Sequence, residues 1–461
     1  MPNGRILNEG DGMSTPIPVS SRAANIEYAI RDVVVPAVEL EAQGHEILKL
    51  NIGDPSAYPG LPTPAHMVDA YVEALRTGHN GYSPSYGLPD LRDAIAADER
   101  RKGWKATSND IYVCHGVTEA LQLIFAAVLE EGSKVLAPGP HYPPYMAYPQ
   151  MYGAETVEYQ LHSEDGWKPD FGDIERKMDD DVRLLVLINP NNPCGTVCGA
   201  EDVDSLLAIA RKYPNCIVVA DEIYDGLDFT GQHVSVASRS QDVPVIALNG
   251  VSKVYYAPGW RIGYMALHDP AQRLGFVRDG LERLLRSRLC ASTPAQLGYL
   301  AGLMQDRSWM DGYAERVKQQ RDHCLHRINQ IEGLEVEQPG GAFYMFIRLT
   351  DEMWANETNP LFSSCSMRST FSSSMAVAFL PNLERAMCGW FTWLMSRFWM
   401  KPLTAWTGSS KSTAKSTCRR RFDESKVWSH FHAPHLHPWI GYSFGHSFRS
   451  DGLCVRCLYQ L

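Results

Sequence analysis

An α/β architecture, with a mainly parallel sheet between helices, is what this chain of 461 residues predicts. Three observations carry that expectation. Short apolar runs of strand length recur through the first half: "DIYVCHG", "KVLAPGP", "DVRLLVLINP", "CIVVADEIY" and "VPVIALNG". Among them lie "VTEALQLIFAAVLEEG" and "DVDSLLAIARKYP", whose apolar residues fall three and four apart, as on an amphipathic helix. Strands that are apolar throughout need cover on both faces, so their alternation with helices implies parallel pairing with a helical layer on each side.

Composition narrows the class. A hydrophobic fraction of 44% and a charged fraction of 21% are those of an ordinary globular chain. At about 150 residues per domain the length suggests about three domains. No apolar run reaches the ~18 residues that cross a bilayer. The opening "MPNGRILNEGDGMSTPIPVS" lacks a basic stretch followed by an apolar core, so the expected location is the cytoplasm. Eleven irregularly spaced cysteines read as small buried hydrophobes rather than a disulfide framework. A net charge of −10 argues against a general nucleic-acid binder, which needs a basic face to displace counterions.

Polar residues gather where the apolar runs end. Asn192 and Pro193 follow "LLVLI", Asp221 and Tyr224 follow "CIVVA", and Ser252 and Lys253 follow "VIAL". Gly116, Val117 and Thr118 follow "IYVCH" and open a helix. In a parallel sheet the ligand site lies beyond the carboxyl ends of the strands, which is where all of these fall. Singly, each has a plainer reading: Asn192 and Pro193 as turn residues, Thr118 as an N-cap, Lys253 as a solvated side chain.

As a group they are chemically complementary. A desolvated lysine loses its proton more easily and can bond covalently to a carbonyl. A buried aspartate needs a cationic partner, which a protonated pyridine nitrogen would supply. A helix N-terminus preceded by small residues suits a phosphate, and Arg261 would add a charge-assisted bond to it. The set describes a socket for pyridoxal 5'-phosphate.

The same residues carry a resemblance. From about residue 20 to 350 the chain resembles the class I/II aminotransferases, the fold-type-I group of pyridoxal-phosphate enzymes. The matching text is "LNIGDPS", "GYSPSYGLPDLRDAI", "HGVTEAL", "PHYPPY", "NPNNPCGT", "ADEIY", "SKVYYAPGWRIGY" and "PGGAFYMF", in the family's order. "LNGVSKVYYAPGWRIGYM" is most similar to the alanine-aminotransferase branch.

The resemblance implies an N-terminal arm with part of a small domain over residues 1–65 and a large cofactor-binding domain over 66–300. A C-terminal small domain would begin at 301–358, and 359–461 would form an aberrant tail. Lys253 would hold the cofactor covalently and move the substrate proton. Asp221 would pair with the pyridine nitrogen. Tyr224 and Asn192 would bond the ring oxygen, and Tyr142 would stack on the ring. Backbone amides of Val117 and Thr118, with Ser252 and Arg261, would grip the phosphate. Tyr82 would reach the phosphate of a neighbouring subunit, which implies a homodimer. Gly53, with Asn192, would lie by the substrate. Tyr142 and Tyr82 have a packing role as the alternative. The implied reaction moves an amino group between alanine and 2-oxoglutarate by ping-pong kinetics. Its alternatives are β-elimination on the same cofactor and cofactor binding with little turnover. No membrane, nucleic acid or metal is implied.

The pattern breaks near Pro360. Residues 361–461 carry 12 Lys and Arg against 4 Asp and Glu, whereas the rest of the chain is strongly acidic. "LFSSCSMRSTFSSSMAV" and "TGSSKSTAKSTCRRRF" show no strand or helix periodicity. The family resemblance implies a strand here whose arginine, five residues before a proline, clamps the substrate carboxylate. "MAVAFLPNLE" resembles that strand with Ala376 in the arginine's place, and neither Arg368 nor Arg385 is in register. A shifted reading frame would produce such a change. The tail also offers His430, His432, His435, His437, Cys454 and Cys457 as zinc ligands, against the plainer reading of a His- and Cys-rich loose tail.

Overall fold

The computed structural model describes residues 61–331 and 333–349, short stretches at 17–24, 41–44 and 53–57, the single residues 26, 38 and 60, and the backbone strand 374–378. All of them lie in one of the two units into which the chain divides, Met1–Met395. The histidines, cysteines and arginines singled out in the tail lie outside the described residues.

The apolar runs form the strands they suggest. In chain order these are β1 (Ile111–Cys114), β2 (Lys134–Gly139), β3 (Glu155–His162), β4 (Lys168–Pro169), β5 (Val182–Ile188), β6 (Ile217–Asp221), β7 (Val245–Gly250) and β8 (Gly263–His268). They make one sheet of order β1-β8-β7-β6-β5-β2-β3-β4. Pairing from β7 through β6, β5 and β2 to β3 is parallel. The outer strand β4 is antiparallel to β3, and β8 runs antiparallel between β1 and β7. The sheet is therefore mainly parallel, as expected, with β8 reversed.

Side chains alternate across the strands and feed two cores. In β5, Leu184, Val186 and Ile188 join one cluster while Leu185 and Leu187 join the other. Among the described residues seven longer helices accompany the sheet: α1 (Ala65–Arg76), α2 (Pro89–Arg101), α3 (Val117–Val128), α4 (Ala200–Ala210), α5 (Gly275–Arg288), α6 (Thr293–Met304) and α7 (Trp309–Ile328). Leu121, Ile124 and Phe125 of α3 and Leu281 and Leu285 of α5 cover one face. Leu91 and Ile95 of α2, Leu206 of α4 and Tyr299 of α6 cover the other. A strand apolar on both sides is stable only in such a sandwich, since each fully buried aliphatic side chain contributes roughly 1.5–3 kcal/mol.

A second, antiparallel sheet has β10 (Tyr344–Leu349) between β9 (Leu334–Val336) and β11 (Ser374–Ala378). The "MAVA" text thus forms a strand, with Ala376 paired to Phe346. Among the described residues no helix is long and apolar enough to cross a membrane. Cys114, Cys194, Cys198 and Cys216 are free thiols, and they and Cys324 are buried, as expected of small apolar fillers.

Candidate active site

Chain direction explains why the site residues meet. Strands β1, β2, β5, β6 and β7 all end at one edge, so the segments after them open there. Because β8 is reversed, it begins at that edge, with Gly263 beside both Cys114 and Gly250. Arg261, two residues before β8, is thereby delivered to the start of α3.

Arg261 lies across Gly116. Its guanidinium donates to the carbonyls of Pro258 (3.0 Å) and His115 (3.2 Å). Gly116 is the N-cap residue of α3, has φ 76°, and no side chain caps the helix there. Thr118 is therefore not the N-cap; with Val117 it forms the first turn. A Cβ on Gly116 would overlap the Arg261 guanidinium. Uncapped amides facing an arginine make an anion site. Gly116→Ala combines a strained φ with displacement of Arg261, and should weaken pyridoxal-phosphate binding ~10–100-fold, the loss of one charge-assisted contact. Equilibrium titration of the cofactor-free protein checks this.

Asp221, the last residue of β6, is buried. The Tyr145 hydroxyl donates to its Oδ2 at 2.9 Å. Burial pushes its carboxyl up to about 6, against the Tyr145 bond, the Ile223 amide and the charge of Lys253. Among the described residues no cation is in ion-pair contact with this carboxylate, and Lys253 acts on it only at a distance.

Lys253 follows β7, and its Nζ donates to the carbonyl of Gly53 at 2.7 Å. The same Nζ lies 5.9 Å from the Tyr224 ring centre and 5.6 Å from that of Phe343. Burial pushes this amine down to about 8; Arg261 adds to the effect, and Asp54 and Asp221 oppose it.

Asn192 donates through Nδ2 to the Tyr224 hydroxyl at 3.3 Å, and that hydroxyl lies 3.0 Å from the hydroxyl of Tyr344. Burial holds the Tyr224 phenol well above its ordinary range. Tyr142 is half-buried against the α3 side of the core and close enough to influence both Tyr145 and Tyr224. Ser252 is buried between β7 and Lys253. The structure thus brings Lys253, Asp221, Tyr224, Asn192, Tyr142 and Gly53 together, and places Arg261 with Gly116, Val117 and Thr118 beside them. It does not bring Tyr82 into this group within one chain, since that side chain is 85% exposed.

Several participants escaped the sequence reading. Tyr344 arrives because the Gly341 amide donates to the Gly195 carbonyl (2.8 Å) and the Ala342 amide to that of Leu227 (2.9 Å). A Cβ on Gly53 would overlap the Tyr344 hydroxyl, so only glycine fits there. Tyr145, Phe343 and Asp54 were also passed over. Their signal was present in "PHYPPY", "PGGAFYMF" and "LNIGDPS", which carried resemblance without individual roles.

The donor set fits pyridoxal phosphate: an amine near neutrality, a buried carboxylate short of a cation, hydroxyl and amide donors, and an anion site at a helix start. No cluster of metal-binding side chains occurs among the described residues. Fold and site together define a pyridoxal-phosphate-dependent transferase of fold type I. More narrowly, the chain belongs to the class I and II aminotransferases, whose family model matches residues 45–373.

It is similar to the alanine aminotransferase of Mycobacterium tuberculosis, with 35% identity over 341 residues covering 73% of this chain and 79% of that one. It is also similar to the glutamate-pyruvate aminotransferase of Escherichia coli, at 36% identity over 73% of this chain and 83% of that one. The solved alanine aminotransferase of Pyrococcus furiosus matches with a TM-score of 0.78 and 41% identity. That match covers 82% of this chain and 100% of the other.

Proposed function

We propose that this aminotransferase transfers the amino group of alanine to 2-oxoglutarate, in two half-reactions that share one site, as a cytoplasmic homodimer. The observation that carries the reading is the convergence of Lys253, Asp221 and Tyr224 at the carboxyl edge of one sheet. The relatives named for alanine or for glutamate and pyruvate support the choice of substrates.

When bound, the cofactor supplies a carbonyl carbon and a conjugated ring that accepts electrons from the bond being broken. The rest falls to the protein. Asp221 keeps the ring nitrogen protonated, its burial making the pairing selective for a cation. Tyr224, with Asn192 donating to it, orients the ring oxygen. Amides of Val117 and Thr118, Ser252 and Arg261 hold the phosphate, and Tyr142 covers the ring. Gly53 leaves the substrate room. Lys253 would hold the cofactor's carbonyl carbon and move the proton of the substrate Cα, which an amine near 8 can both take up and give back. Tyr82, exposed in one chain, completes the phosphate site of its partner.

The test is an assay with L-alanine and 2-oxoglutarate that follows all products. Equal formation of pyruvate and glutamate, with parallel double-reciprocal lines, supports the reading. Run on L-cysteine, whose Cβ carries a sulfur leaving group, release of pyruvate, ammonia and sulfide with no loss of 2-oxoglutarate would establish elimination instead.

One observation favours a second reading, a cofactor-loaded protein with weak turnover. Ala376 stands in β11, opposite Phe346, in the strand where the family resemblance expects a carboxylate-clamping arginine. A missing bidentate bond of about 1.5–3 kcal/mol lowers substrate binding ~10–100-fold. Ala376→Arg should therefore raise kcat/KM for alanine ~10–100-fold and leave cofactor affinity unchanged. An unchanged kcat/KM would put the clamp elsewhere.

A further inference from the structure

Behind the turn that carries Asp221 and Tyr224 lies a buried ionic cluster that the reaction does not use. Lys102, at the C-terminal end of α2, has its Nζ 2.7 Å from Glu99 Oε1 and 2.8 Å from Asp225 Oδ2. Its side chain is 15% exposed and that of Glu99 is fully buried. Glu99 is anchored from elsewhere: the Tyr264 hydroxyl donates to Oε1 (2.6 Å) and the Trp104 indole to Oε2 (2.9 Å). Asp225 is the residue after Tyr224, and its amide donates to the Glu222 carbonyl at 3.0 Å, where Asn249 Nδ2 also donates at 2.9 Å. The Glu222 carboxylate accepts from the Val236 amide at 2.9 Å, while its buried Oε2 has no hydrogen-bond partner among the described residues.

The groups facing Lys102 come from every surrounding element. They are Asp98 and Glu99 of α2, Glu222 and Asp225 of the turn, His233 and Tyr255 from neighbouring loops, and Tyr299 of α6. Burial by itself pushes the ammonium's pKa down. Asp225 and Glu99 outweigh that and hold it well above its ordinary range. Remove the ammonium, and Glu99 confronts Asp225 with like charge in a buried setting, which costs several-fold more than at a surface. Glu99 is tied to β8 by Tyr264, so Asp225 is the group that yields, and Tyr224 is bonded to it along the chain.

We propose that Lys102 is a positioning residue, whose ammonium, held between Glu99 and Asp225 beneath the turn 221–225, keeps Tyr224 within reach of Asn192 and of the cofactor's ring oxygen. The inference rests on the role proposed above for Tyr224. Hydrogen bonds of 3.0 and 3.3 Å at that hydroxyl leave little room, because a displacement of ~1 Å breaks them.

The experiment compares cofactor-loaded wild type, Lys102→Met, Tyr224→Phe and the double variant. It reads the pH midpoint of the bound cofactor's absorbance and the dissociation constant for pyridoxal phosphate. Lys102→Met should move the midpoint in the same direction as Tyr224→Phe, by about one unit, and weaken cofactor binding about tenfold. The double variant should move no further than Tyr224→Phe alone, since both changes act through one hydroxyl. A midpoint unmoved by Lys102→Met, or shifts that add in the double variant, would reduce Lys102 to a fold-stabilising role. If Lys102→Met does not fold, Asp225→Asn breaks the same ion pair from the other side and is held to the same outcomes. Lys102→Arg keeps the charge and should retain the wild-type midpoint. A wild type with no pyridoxal absorbance at all would overturn the reading of the site, a distinct result.

Discussion

Lys253→Ala should bind pyridoxal phosphate without covalent attachment and lose transamination by on the order of 10⁴-fold or more, because one substitution removes both the linking amine and the proton carrier. Borohydride reduction of the wild type should place a pyridoxyl group on the peptide containing Lys253; reduction of the variant should label nothing. The geometry makes this sharp. The Lys253 amine bonds the Gly53 carbonyl at 2.7 Å, sits over the Tyr224 and Phe343 rings, and is pushed down to about 8. Because the neutral amine is the reactive form, attachment of cofactor to the cofactor-free protein should speed up as pH rises through about 8 and then level off. A labelled peptide from another region, or an attachment rate flat across that window, would overturn the assignment.

Asp221→Asn should pull activity and stability in opposite directions. Asn cannot pair with a cationic ring nitrogen, so transamination should fall at least ~10²-fold, the scale of one charge-stabilising group in a dry site. The cofactor-free protein should nevertheless be more stable. The folded-state pKa of Asp221 is raised to about 6 from 3.8, so below 3.8 the carboxyl is protonated folded or unfolded and the substitution changes little. Between about 4 and 6 the folded state binds the extra proton and stability declines as pH rises; above 6 the cost of a buried ionised carboxylate is complete. Asn removes that cost, on the order of 2–3 kcal/mol above pH 6. Thermal unfolding of the cofactor-free variant and wild type at pH 4 and pH 7.5 checks it. Equal unfolding temperatures at pH 7.5 would show that Asp221 carries no penalty to relieve.

Much of this site was legible before any coordinates. The apolar runs "LLVLI", "CIVVA" and "VIAL" end in Asn192, Asp221 and Lys253 because a buried strand must stop where the chain turns polar. Parallel pairing then puts those ends on one edge. The start of α3 was also visible, although the cap proved to be Gly116 and not Thr118. Arg261 is different: in sequence it lies eight residues after Lys253, and only the reversal of β8 explains why it returns to face Gly116. Tyr344 was visible only as one letter of "PGGAFYMF", and Lys102 left no comparable trace, since a lysine at a helix end is ordinary in isolation.

Strand and helix periods, the chemistry of each turn and the family itself follow from the sequence, because each depends on residues a few positions apart. Strand order, the antiparallel insertion of β8, the approach of Tyr344 to Tyr224 across 120 residues and the grip of Lys102 on Asp225 belong to the tertiary structure. They arise from packing and charge summed over distant segments, which no local pattern encodes.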